Sequence, residues 1–142
     1  MVRLTWPALV GILVALTCTA CSADWPRFLG PNANGIAPDT GINKNWDENP
    51  PQRLWQVPLG DGGFAGPSVA DGKVFIIDHA GDQDIVRALD LNDGNEIWRF
   101  SYQDTGKDNY GFARSTPTYA DGKLYLRDAK ELRCVQLLEG GK

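Results

Sequence analysis

The sequence predicts an all-β fold of antiparallel four-stranded meanders. Three observations carry that expectation: an internal repeat with a period in the forties, Asp-Gly turns at matched places inside it, and β-branched and aromatic runs between the turns. Pro67-Ser-Val-Ala-Asp-Gly-Lys-Val-Phe returns as Pro117-Thr-Tyr-Ala-Asp-Gly-Lys-Leu-Tyr, an offset of 50 (67 to 117). Arg87-Ala-Leu-Asp-Leu returns as Arg133-Cys-Val-Gln-Leu at an offset of 46 (87 to 133), the difference of four residues being one longer hairpin loop. Leu54-Trp55-Gln56-Val57 is echoed by Ile97-Trp98-Arg99-Phe100 at an offset of 43 (54 to 97). Units of this period, each a meander that cannot bury its own face, are the mark of propeller blades.

Ahead of the repeats, Arg3 is the only charge before Asp24, and residues 4–16 are almost wholly apolar up to the small residues Thr17, Cys18, Thr19 and Ala20. That order is a secretory signal. The apolar run is about 13 residues, carries Pro7, and falls short of the roughly 20 that a spanning helix needs. Cys18-Thr-Ala-Cys21 has CxxC spacing without the strand-to-helix context of a redox pair. The stretch resembles a bacterial lipoprotein signal, and the resemblance implies acylation of Cys21, flanked by the small residues Ala20 and Ser22. Ordinary signal cleavage is the alternative. Two or more acyl chains hold a protein stably on a membrane, so the lipidated form would lie in the cell envelope and face the periplasm. Cys134 is then the one cysteine left unmodified. Within the alternation Leu132, Cys134, Gln136 it is expected to be a small buried core residue.

The first repeat unit parses into strands at 67–70, 73–78, 85–91 and 96–101, and the second into strands at 116–120, 123–127 and 132–137. Asp71-Gly72, Asp93-Gly94 and Asp121-Gly122 supply turns, because glycine and aspartate tolerate the positive φ that hairpins require. Val74 and Ile76, and Ile85, Arg87, Leu89 and Leu91, alternate as one face of a sheet. The chain divides into a signal peptide at 1–20, an entry segment at 21–53 and a partial propeller at 54–142, with two blades of which the second is incomplete. A propeller closes with typically 4 to 8 blades. Two blades are therefore not closed by this chain alone, and the expectation is that internal blades are missing or that the gene model is partial.

These residues carry a resemblance. The pattern that runs from Pro67 through Arg87-Ala-Leu-Asp-Leu-Asn-Asp-Gly-Asn-Glu-Ile-Trp-Arg-Phe is similar to the PQQ-like (quinoprotein alcohol dehydrogenase-like) β-propeller repeat family, whose blades end in a tryptophan that docks on the neighbouring blade. Asp24-Trp-Pro-Arg-Phe-Leu-Gly-Pro-Asn-Ala-Asn-Gly resembles the entry segment of secreted, planctomycete-type PQQ-binding-like proteins, which implies a truncated member. The family includes quinone-dependent alcohol dehydrogenases and a non-catalytic lipoprotein of outer-membrane β-barrel assembly. Fold membership does not choose between them.

Few residues suggest chemistry. His79 is the only histidine, which excludes a site of several imidazoles. It lies in Asp78-His-Ala-Gly-Asp-Gln-Asp, whose spacing does not fit a calcium loop, and a polar hairpin loop is expected there. Phe64, Asn109, Phe112 and Arg114 flank the inner strands, where an aromatic surface and a guanidinium could line a ligand funnel; the alternative, which the residues favour, is structural, with Phe112 packing between blades and Arg114 bonding a carbonyl or an acidic neighbour. Trp55 and Trp98 occupy equivalent positions and are expected to dock blade on blade, with the indole N–H bonded to backbone. Trp25 and Trp46 are expected to pin the entry segment. The 14 basic residues against 18 acidic ones, net −4, argue against nucleic acid.

The reading that follows is an exported, lipid-anchored binding or scaffold module with no catalysis and no cofactor. Its partner is a protein or polymer, or other copies of the chain that complete a propeller. The alternative is a fragment of a quinoprotein dehydrogenase that uses PQQ with calcium to oxidise alcohols or sugars.

Overall fold

The computed structural model describes residues 24–60, 63–104, 112, 114–128 and 130–137. The expected signal peptide, Cys21 and Asn109 lie outside these residues. The described chain is all-β: β1 (Ser68–Ala70), β2 (Lys73–Ala80), β3 (Gln83–Asp90), β4 (Glu96–Gln103), β5 (Thr118–Ala120), β6 (Lys123–Arg127) and β7 (Leu132–Gln136). The strands form two antiparallel sheets, ordered β1-β2-β3-β4 and β5-β6-β7. The meander topology follows from tight turns at Asp71-Gly72 and Asp121-Gly122. All four of those residues have positive φ, between 49° and 71°, the type I′ geometry whose twist matches the flanking strands.

The sheets pack face to face. Phe75 and Ile77 on β2 and Val86 and Ala88 on β3 meet Leu124 and Leu126 on β6 in one buried cluster. Phe75, fully buried, stacks on Tyr119 at 5.7 Å between ring centroids and tilts against Trp98 at 6.2 Å. The opposite face of the first sheet is covered by the chain before β1. Gly60 N–H donates to Asp78 Oδ1 (2.8 Å), and Arg87 donates to the Pro58 carbonyl (3.0 Å) while pairing with Asp78 and Glu96. Val74 and Ile76 are buried together with Phe75 and Ile77, so β2 is covered on both sides.

The entry segment also joins the two sheets through backbone. Trp25 exchanges both hydrogen bonds with Val69 on β1 (2.8 Å each), and Tyr119 N–H on β5 donates to the Pro26 carbonyl (2.8 Å). The expected pinning by Trp25 therefore holds. Trp46 does not pin anything: it is 60% exposed, and its indole N–H is used locally by the Asn43 carbonyl.

Two further expectations are corrected. His79 is not in a polar loop. β2 and β3 run on to a two-residue Gly81-Asp82 turn, which places His79 in a strand directly opposite Asp84 and fully buried. Cys134 is exposed. On β7 the inward residues are Arg133 and Val135, one position out of phase with the expected alternation.

Candidate functional site

The sequence-derived ligand candidates divide between two places. Phe64 and Arg114 share a cleft of about 610 Å³ with Phe28, Tyr125, Arg127 and Leu132. β6 and β7 build its floor: Arg127 pairs with Leu132 across the strands, and both lie on the face of the sheet turned away from the core residues Leu124 and Leu126. Phe64 and Leu132 are each 73% exposed. Among the described residues the lining combines two guanidinium groups with apolar and hydroxyl-bearing side chains. Such a surface can take an anionic group by charge-assisted hydrogen bonds while covering apolar atoms beside it. The hydroxyl-bearing residues Ser115, Thr116 and Thr118 complete the wall.

Phe112 is elsewhere. Its ring stacks on the His79 imidazole at 3.6 Å between centroids, nearly parallel. His79 and Asp84 form a sealed polar cluster, 0% and 3% exposed. The imidazole Nδ1 lies 3.0 Å from Asp84 Oδ1, its Nε2 lies 3.0 Å from the Gly81 carbonyl, and the Tyr102 hydroxyl donates to Asp84 Oδ2 at 3.2 Å. Both ring nitrogens thus face oxygen atoms, the Gly81 carbonyl at Nε2 and the Asp84 carboxylate at Nδ1. Buried from solvent, the cluster ties β2, β3 and β4 together at the hairpin tip. Sequence reasoning missed it because a polar run reads as a loop. The available signal was the symmetric placing of His79 and Asp84 about Gly81-Asp82.

Tyr102 links this cluster to the second sheet. Burial, and then the Asp84 carboxylate, push its phenol well above the ordinary value. Arg133 on β7 sits 4.0 Å over the Tyr102 ring and pairs with Asp128 and Glu131. Burial pulls the Asp128 carboxyl upward, but backbone N–H groups of Lys130 and Glu131 together with Arg133 outweigh it and hold the group low.

The tryptophans are structural. Trp55 donates its indole N–H to the Leu91 carbonyl at 3.0 Å, and its ring lies over Gly94. Trp98, half-buried, packs on the core and lines a second cleft of about 630 Å³ with Phe100, Tyr119, Val135 and Leu137. Among the described residues no three His, Cys, Asp or Glu side chains converge to hold a metal ion.

Two antiparallel meanders packed face to face, with their short first strands side by side, define adjacent blades of a β-propeller. A family model described as outer membrane protein assembly factor BamB matches residues 44–141. The chain belongs to this family of PQQ-like propeller repeats. No curated protein matches it.

Proposed function

We propose that the chain is an exported, lipid-anchored propeller module of the cell envelope that binds a partner and performs no chemistry of its own. The observation that carries this reading is the cleft at Phe64, Arg114 and Arg127, a recognition surface of cations and exposed apolar groups on a propeller scaffold. The apolar run with Cys21 at its end supports export and anchoring, and the family's description, a factor in outer membrane protein assembly, supports an envelope setting. Mass spectrometry of the mature chain should find an acylated Cys21, and Cys21→Ala should release the protein from the membrane fraction. A dye-linked assay of alcohol and aldose oxidation with added PQQ and calcium should show no turnover. Turnover lost in Arg114→Ala would replace this reading with a quinoprotein one.

A further inference from the structure

The entry segment joins the fold at a defined end of the blades. Trp25 exchanges both backbone hydrogen bonds with Val69 in an antiparallel bridge, so the chain before it runs toward the turn between β1 and β2. There the Asp24 carboxylate accepts a hydrogen bond from the Asp71 N–H at 3.4 Å. Trp25 itself is clamped: a Cβ added at Gly30 would stand 2.6 Å from its ring.

The other Asp-Gly turns gather at this same end. Leu91 N–H donates to the Gly72 carbonyl at 3.0 Å, which sets the turn between β3 and β4 beside Asp71-Gly72. Gly63 and Phe112, ahead of β1 and β5, form a parallel bridge, and Asp71 and Gly122 line one cleft, so the Asp121-Gly122 turn lies at this end too. The Gly81-Asp82 turn lies at the opposite end, beyond the eight residues of β2 (Lys73–Ala80). That strand is about 23 Å long at roughly 3.3 Å per residue. From Cys21 to Asp24 is three residues of chain, a reach of at most about 11 Å. A tether rooted at Asp24 is therefore shorter than the blade is tall, by about two-fold.

We infer that the chain, tied through Cys21, stands on the bilayer surface on its Asp-Gly turn end and holds the Gly81-Asp82 end out into water. This rests on the lipid-anchored reading and goes beyond it by assigning the end that meets the membrane. The cause is the tether, because a body tied at one end by a link shorter than its height cannot invert. Attraction between the end itself and the lipid is not the cause: Asp24, Asp71, Asp93 and Asp121 outnumber Lys73 and Lys123 there, and negatively charged headgroups attract basic surfaces, not acidic ones. The segments that lead into β1 and β5, with Phe64 and Arg114, lie toward the far end, so a partner that binds them arrives through water and not through lipid.

The test places the acylated chain in phosphatidylcholine vesicles in which a fraction of the headgroups carries a nitroxide, a short-range quencher. A fluorophore is attached at Asn92→Cys on the turn end, or at Gln83→Cys or Lys130→Cys on the far end, each with Cys134→Ser. All three labelled positions are exposed. Quenching should be at least about three-fold stronger at position 92 than at 83 or 130, because a strand's length separates the two ends. A flexible Gly/Ser linker of about 20 residues inserted after Ala23, with a reach of roughly 25 Å, should bring the three positions to equal quenching. With the native tether, equal quenching at both ends, or stronger quenching at 83 or 130, overturns the orientation. A difference that survives the linker overturns the tether as its cause. Mass spectrometry separates these results from a failure of the anchoring: an unmodified Cys21 defeats the anchoring and this inference together, whereas an acylated chain that fails the quenching test defeats this inference alone.

Discussion

Gly94 and Gly122 provide a matched pair of substitutions that isolates the docking of Trp55. Both glycines have positive φ, 73° and 71°, so alanine at either site bears the same left-handed penalty of roughly 1–2 kcal/mol. Part of this is offset by the roughly 0.4–1 kcal/mol that alanine contributes by restricting the unfolded chain. Around Gly122 nothing lies within 4 Å of an added Cβ, so Gly122→Ala should cost about 1 kcal/mol. At Gly94 the same Cβ would stand 2.8 Å from two ring atoms of Trp55. Those atoms are the ring-fusion carbon Cδ2 and its neighbour Cε3, which cannot swing aside without carrying the whole indole. The ring must leave, and its hydrogen bond to the Leu91 carbonyl goes with it. The bond is worth about 1 kcal/mol, and the lost partial burial of the ring is worth roughly another 1–2 kcal/mol.

Gly94→Ala should therefore cost about 3–4 kcal/mol. Urea unfolding of both variants at one dilute concentration, where association does not enter, should show the gap as a lower midpoint at unchanged m-value. In a Trp55→Ala background the excess should vanish, leaving the two alanine substitutions equal. Equal costs in the unsubstituted background would refute the docking of Trp55.

The remaining predictions concern charge. Asp84→Ala leaves the His79 imidazole and the Tyr102 hydroxyl without their shared acceptor in a buried site, and should cost about 3 kcal/mol by thermal or urea unfolding. Asp82→Ala in the adjoining exposed turn should cost under about 0.5 kcal/mol. Glu96, held low first by its hydrogen bond to Arg99, and Asp128 both have folded values below their unfolded ones. Their stabilisation is therefore complete above the ordinary carboxylate range near pH 4 and is lost as the pH falls through the folded values. Arg133→Ala should flatten that acid limb in a pH series of unfolding midpoints. Tyr102 has the opposite sign: raised by burial, it contributes stability that is intact below the ordinary phenol value near pH 10 and lost above it. Ultraviolet absorbance should show one of the four tyrosines ionising late, and Tyr102→Phe should remove that component.

Much of the fold was legible because its punctuation is local. The Asp-Gly turns, the repeat offsets and the β-branched runs placed every strand, and the limits of β6 came out at Lys123–Arg127 as read. What was not legible depends on neighbours distant in sequence. The cleft brings together Phe28, Phe64 and Arg114 from three loops and Arg127 from β6. Proximity in the chain had grouped Phe64 with Phe112, yet a residue two positions from Arg114 turns its ring onto His79 instead. An aromatic beside an inner strand can face either the funnel or the hairpin behind it. Only the buried His79, invisible while its strand was read as a loop, decides which.

The error at Cys134 has a more general cause. Alternation identifies a core face when one side of a sheet meets water, because a slip of one residue then exchanges every inward side chain for an outward one. In a blade both sides are covered, and β2 shows the result: Val74, Phe75, Ile76 and Ile77 are all buried, so the pattern carries no phase. On β7 the phase is set by what lies on each side. Val135 and Arg133 face the first sheet, while Cys134 faces the side where the first sheet's own counterpart, Ala88, has a neighbour. The expectation of a buried cysteine thus requires a further blade against that face. The thiol is its own reporter: if copies of the chain associate over that face, the reactivity of Cys134 toward a thiol reagent should fall as the concentration of the chain is raised. A thiol equally reactive at every concentration would mean that the face stays open in solution.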